Sequence, residues 1–325
     1  MPFTFADLDI RTTLPDIPAS APVVSLTPPC IKDRSRAVEG LTKALGFEVR
    51  GTVDVPHGYA VGGPSGQVEV FYASGAVRGR NTDQLSKFED ERRRWADVTK
   101  DEDHDGVFFR LGDAAAQRLT TSSMRLLDSI GLSGDRASLT VTLGQWARLD
   151  ESGAEIDSGP GRATVQLGYE AEGIRLIGPG AKTNFHYDPD DSGEPGIMAR
   201  FFHVLRGTEG VKDVRMLTIE EAFQPLLTQT WSGLKVDPTS AKMAITSATF
   251  GLLALPADVP QTYAAPALVV EGRLEGVLAE DGRLVELRFG QYLPLANAKG
   301  LADAGFASSG PVLPGSVVAG RARGR

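Results

Sequence analysis

The chain has 325 residues, 41% of them hydrophobic and 23% charged, enough for one large or two ordinary domains around a sizeable core. Acidic residues outnumber basic ones 42 to 34, for a net charge of -8, which argues against nucleic acid or an anionic membrane as the main partner. The single cysteine, Cys30, excludes an internal disulfide and has no neighbouring histidine to activate it. No apolar run reaches the ~20 residues of a membrane-spanning helix, and the N-terminus lacks a basic, then apolar, secretory signal. A cytoplasmic location is the expectation.

In chain order, residues 1–30 are rich in Pro, Ala, Ser and Thr without a regular period, as in an extended arm laid on the surface. "SRAVEGLTKALGFEV" then places Val38, Leu41 and Leu45 at helical spacing, with Gly46 able to close the helix in the left-handed conformation. A second helix is expected in "GDAAAQRLTTSSMRLLDSIGLSG", where Ala115, Leu119, Leu126 and Ile130 share a face, Asp113 caps the start and Gly131 the end. A third lies in "LTIEEAFQPLLTQTW": Thr218 and Glu221 have the spacing of a reciprocal capping box. Its stripe is Ala222, Phe223, Leu226 and Leu227, and Pro225 shortens or kinks it.

Each helix is followed by alternating segments joined by short Gly or Asp-Gly turns, such as "GQVEVFYASGAV", "RATVQLGYEAEGIRLIG", "GIMARFFHVLRG" and "KMAITSATFGLLAL". Short connections suit antiparallel hairpins. The expected fold class is therefore α+β: curved antiparallel sheets, each packed against one or two amphipathic helices, in two similar halves. The boundaries read as an arm over 1–30, a module over 31–155, a second over 156–297 and a flexible tail over 298–325, with the seam in the polar stretch 150–161.

The order "YEAEGIRLIGPGAKTNFHYD", strand "GIMARFFHVLR" and helix "IEEAFQPL" resembles the helix-plus-sheet modules of the PepSY-like superfamily over about two repeats. The resemblance implies modules that bind or inhibit partners outside the cytoplasm and often lack catalytic residues. No signal peptide or anchor accompanies it here.

Several segments carry candidate chemistry. "GPGAKT" has the Gly, Lys and Thr of a phosphate loop, but Ala181 stands where the last Gly should precede Lys182, and strand-like residues follow Thr183 in place of a helix. "DEDHDG" sets Asp101, Asp103 and Asp105 at the spacing of half a calcium loop, although Gly112 occupies the position of the bidentate Glu. Calcium is the metal such a loop would hold, a solvated acidic turn is the plainer reading, and no other cofactor is expected. "HYDPDDSGEPG" offers His186 and Asp188 beside Asp190, Asp191 and Glu194, in residues that also make ordinary turns. In "ARFFHVLRG" His203 alternates with Arg206, and a core histidine with a satisfied hydrogen bond is the plainer alternative to a general base.

If the acidic loop is a hairpin turn, His186 and His203 could face one another on adjacent strands. Two classes of function stay open at this level. One is a cofactor-independent cyclase, isomerase or hydrolase of specialised metabolism, with His203, His186 and Asp188 catalytic and Arg206, Tyr187 and Lys182 binding a small organic substrate. The other is a non-catalytic binding or regulatory module with a protein partner.

Overall fold

The computed structural model describes residues 4–91, 94–103, 106–132, 134–228, 240–277, 284–307 and 316–318. After a 3-10 turn at Phe5–Asp7 come β1 (Asp9–Ile10), β2 (Ser20–Leu26), α1 (Ser35–Leu45) and the meander β3 (Gly51–Val55), β4 (Gly58–Gly63), β5 (Gly66–Phe71) and β6 (Val77–Asn81). Next are α2 (Thr82–Glu91), the hairpin β7 (Val98–Asp103) and β8 (Gly106–Leu111), and α3 (Asp113–Ser129). The long strands β9 (Arg136–Leu149) and β10 (Glu155–Ala171) precede β11 (Ile174–Ile177), β12 (Lys182–Pro189), β13 (Pro195–Val204) and β14 (Thr208–Arg215). The chain continues with α4 (Ile219–Thr228), β15 (Lys242–Leu253), β16 (Tyr263–Ala264), β17 (Pro266–Val277), β18 (Leu284–Pro294), α5 (Ala298–Asp303) and β19 (Ser316–Val318).

The fold is α+β, with antiparallel sheet packed against several helices. A 14-stranded sheet runs in the order β19-β18-β17-β15-β11-β10-β12-β13-β6-β5-β4-β3, with β9 on β10 and β1 on β15. Helices α1 and α3 cover one face of its first half. There Leu41, Leu45, Leu119 and Leu127 pack with Val68, Val165, Phe185 and Phe201. Burial of each such side chain contributes about 1.5–3 kcal/mol. In the second half α4 lays Ala222, Phe223, Leu226 and Leu227 on Leu268, Val270, Phe289 and Leu293 of β17 and β18.

Local signals decide the helix ends. Gly46 closes α1 in the left-handed region, at φ 69°. Thr218 and Glu221 make both capping bonds: the Thr218 amide donates to Glu221 Oε2 at 2.8 Å, and the Glu221 amide to Thr218 Oγ1 at 3.3 Å. The cap of α3 is Gly112, with Asp113 as its first helical residue.

Elsewhere the expected boundaries change. The supposed surface arm contains β2, the central strand of a sheet ordered β14-β2-β16, with Val23 and Val24 fully buried. Strand pairing to distant segments buries a stretch whose composition looks like a linker. The polar stretch 150–161 contains the tip of the β9–β10 hairpin, which pairs from Glu155↔Leu149 to Tyr169↔Arg136, so a boundary there would split one hairpin. In the supposed tail, α5 buries Leu301, capped by Asn297, whose side chain accepts from the Lys299 and Gly300 amides, and β19 pairs with β18. The rest of that stretch, 308–315 and 319–325, lies outside the described residues.

The two halves meet where β11 leaves β10 and pairs in parallel with β15, Leu176↔Leu252 and Ile177↔Leu253. "GPGA" then crosses Ala254 and Leu255 at close range. Gly178 has φ 97°, and a Cβ there would sit 2.7 Å from the Ala254 carbonyl oxygen; at Gly180 it would overlap the Leu255 carbonyl. Gly180→Ala is expected to lower stability by at least about 2 kcal/mol. Gly51→Ala, where a Cβ meets nothing within 4 Å, serves as the near-neutral control. Urea unfolding of both variants checks this.

Candidate functional site

Register decides what each candidate side chain reaches. In the β12–β13 hairpin, Thr183 faces His203 and Phe185 faces Phe201, while Asn184 faces Phe202 and His186 faces Arg200. Side chains alternate along a strand, so His203 belongs to the helix-covered face and His186 to the opposite one. The two histidines are on adjacent strands as expected but point away from each other.

His203 is 2% exposed. Its ring lies edge-on to Tyr169, with centroids 6.1 Å apart, and near-parallel to Phe201 at 6.5 Å. A hydrogen-bonded chain links Tyr169 Oη to Thr183 Oγ1 at 2.6 Å and Thr183 Oγ1 to His203 Nδ1 at 2.7 Å. Thr183 Oγ1 sits between the other two groups, accepting from one and donating to the other, so the tautomer of the neutral His203 ring and the direction of the chain are set together. Burial, with a smaller push from Arg34, lowers the His203 pKa to about 3. His203 is thus a core aromatic with its polar atom satisfied, the plainer of the two expectations.

His186 is half-buried on the other face, and its Nδ1 lies 3.0 Å from Thr164 Oγ1. Burial, then Arg200 and Arg162, lowers its pKa to about 4. Asp188 engages Arg162, whose Nε donates to Asp188 Oδ1 at 2.8 Å and whose Nη2 donates to the Leu85 carbonyl at 2.9 Å. The pair is deep, with side chains 18% and 3% exposed. Of the remaining residues in that loop, Asp190 folds the turn through bonds from Ser192 and Glu194, and Glu194 pairs with Arg118.

Arg206, expected to bind substrate, instead donates to three carbonyls, Leu255 at 2.9 Å, Pro256 at 2.9 Å and Val259 at 2.7 Å, and holds that loop to the sheet. Burial lowers its pKa to about 10, so it stays charged at neutral pH. Tyr187 is buried with its hydroxyl 2.9 Å from Ser123 Oγ. Lys182 is the member of the expected set that lines an open cleft, at the junction of the two halves. Asp101 and Asp103 lie in β7 of a hairpin, not in a loop between helices, and Asp101 meets Arg110 Nε at 3.0 Å. Asp105 lies outside the described residues. Among the described residues no three His, Cys, Asp or Glu side chains converge as a metal site would require.

Two features of the sheet's outer face escaped sequence reasoning. One is a buried carboxylate, Glu69, held by Arg78 Nε at 3.0 Å and His57 Nε2 at 3.3 Å, with the His57 ring stacked 4.5 Å from Phe71. Burial alone would raise its pKa, but Arg78 and His57 together hold it below the usual range. A glutamate between two valines in "QVEVF" was the available signal.

The other is a row in register across six strands: Gln67, Arg80, Arg200, His186, Thr164 and Thr142 on β5, β6, β13, β12, β10 and β9. Arg80 and Arg200 are exposed, stand directly opposite each other, and make no ion pair among the described residues. No helix among the described residues is long and apolar enough to cross a membrane.

No family model and no curated protein sequence matches this chain. A solved structure that it resembles in outline is an uncharacterized protein from Eubacterium rectale ATCC 33656, with 9% sequence identity, a TM-score of 0.46 and coverage of 84% of this chain and 83% of that one.

Because the folded pKa of His186 lies below that of the unfolded chain, the unfolded state binds the extra proton first. His186 therefore withdraws stability as pH falls from about 6.5 towards 4 and has no such effect above that window. His186→Gln is expected to flatten this acid limb, leaving a smaller loss between pH 7 and pH 4.5 in thermal unfolding than the parent chain suffers.

Proposed function

We propose that the protein is a non-catalytic binding module that holds an anionic group of its partner against the outer face of the long sheet. The carrying observation is the cross-strand pair Arg80 and Arg200. Like charges directly opposite on a sheet repel and cost stability. Both are exposed and without a carboxylate among the described residues, so their planar donor forks are available to an oxyanion. Thr164, Thr142 and Gln67 extend the same row with neutral polar groups.

The net charge of -8 confines the attraction to this local patch and favours a single anionic group over an extended polyanion. The acid/base enzyme reading with His203, His186 and Asp188 draws no support from this geometry. One histidine is sealed in the core, the other lies on the opposite face, and the carboxylate is spent on Arg162. A binding role without catalysis is also what the PepSY-like order of elements implies.

Arg80→Thr relieves the repulsion and is expected to raise stability by about 0.2–1 kcal/mol. In the parent chain, millimolar inorganic phosphate is expected to raise the thermal midpoint beyond chloride at matched ionic strength, and in Arg80→Thr that increment disappears. An increment retained by Arg80→Thr, or absent from the parent chain, would sink this reading.

A further inference from the structure

The crossing of the two halves leaves a cleft of about 330 Å³ on the outer face. From the first half it is lined by Gln166, Arg175 and Lys182, and from the second by Thr249, Val269 and Tyr292, with the Gly178–Pro179 turn at its edge. The second group is one register row, Thr249↔Val269 on β15 and β17 and Val269↔Tyr292 on β17 and β18. The ligand-facing atoms therefore come from both halves. The cleft exists because β11 departs from β10 to join β15.

Its chemistry is divided. Lys182 on β12 and Arg175 on β11 flank β10, with Glu170 directly opposite Arg175, and neither cation makes an ion pair among the described residues. Across from them, Val269 and the half-buried ring of Tyr292 pack with Ile177 and Leu253 to form an apolar wall. Burial, then Glu271, raises the pKa of Tyr292, which keeps the phenol protonated as a hydrogen-bond donor. Gln166 and Thr249 add neutral polar groups. The volume falls at the lower end of the range for small-molecule sites, ~300–1,000 Å³.

The geometry points to a binding site for a small carboxylic acid with an apolar body, carboxylate on Lys182 and Arg175, body against Tyr292 and Val269. A phosphate would satisfy the cations but leave the apolar wall wet, and a neutral apolar compound would leave the cations unused. Glu271 is the acidic group facing Tyr292, and its charge further favours the carboxylate end lying towards Lys182 and Arg175. Because the ligand touches both halves, its binding free energy adds to the cohesion of the junction. This inference does not rest on the Arg80–Arg200 row and stands if that reading fails.

The test is calorimetric titration and thermal unfolding of the full chain with benzoate, 3-phenylpropionate, acetate and inorganic phosphate at constant ionic strength. Benzoate or 3-phenylpropionate is expected to bind and raise the midpoint, with acetate at least about tenfold weaker, since it lacks the apolar body. Lys182→Met and Arg175→Met, which keep the aliphatic stems, should each weaken binding by about tenfold or more. Thr249→Tyr should block it by filling the cleft, whereas Arg80→Thr should leave it intact. No binding of either aromatic acid, or binding that survives Thr249→Tyr together with Lys182→Met, would overturn the assignment. Circular dichroism of each variant separates lost binding from lost folding.

Discussion

The rest of the molecule depends on one close approach of backbones, the crossing of Ile177–Gly180 over Leu252–Leu255. Two parallel pairs, Leu176↔Leu252 and Ile177↔Leu253, carry the sheet of the first half into that of the second. The Ala254 amide donates to the Ile177 carbonyl at 2.8 Å, and the Gly180 amide returns a bond to the Ala254 carbonyl at 3.0 Å. Parallel pairing requires a long crossover, here everything from β12 to the start of β15. Glycine is required at both turns because a Cβ would meet backbone. Arg206 secures the chain beyond the crossing by charge-assisted bonds to three carbonyls, and Ser74 adds one to Ala257 at 2.7 Å.

Joining the halves in this way sorts the side chains into two environments. One face of the first half lies beneath α1 and α3 and takes Tyr169, Phe185, Phe201 and His203, and it has no room for solvent chemistry. The opposite face is left to Arg80, Arg200, His186, Gln166 and Lys182, and the splice indents it where the two halves meet. The difference between a core histidine and a surface one is a matter of strand parity. The partners of His203 and His186 on the facing strand are Thr183 and Arg200, and these belong to opposite faces.

What was legible in the sequence was local. Gly46, the Thr218–Glu221 box and the stripe Ala222, Phe223, Leu226 and Leu227 each involve residues within a few positions of one another, and the fold uses them as read. What escaped was set by pairing over long separations. The strand "SAPVVSL" is central only because β14 and β16, far along the chain, flank it. The tip of a long hairpin and a linker share the same polar, Gly-rich composition, so 150–161 looked like a seam. Around the cleft, Lys182 was among the residues expected to bind substrate, while Thr249 and Tyr292 come near it only through the splice. The opposite facing of His186 and His203 follows from period-two alternation once His203 is known to pair with Thr183, and that register between the strands is what the sequence did not supply.

Spliced in this way, the two halves are expected to unfold as a single cooperative unit. Native-state hydrogen exchange at the amides of Ala254 and Gly180 tests it most directly, because both bonds exist only across the junction. These amides are expected to exchange only with global unfolding, at the same free energy as the Leu41 and Val270 amides in the two cores. Faster exchange at the junction, with the two cores opening at separate denaturant midpoints, would contradict it.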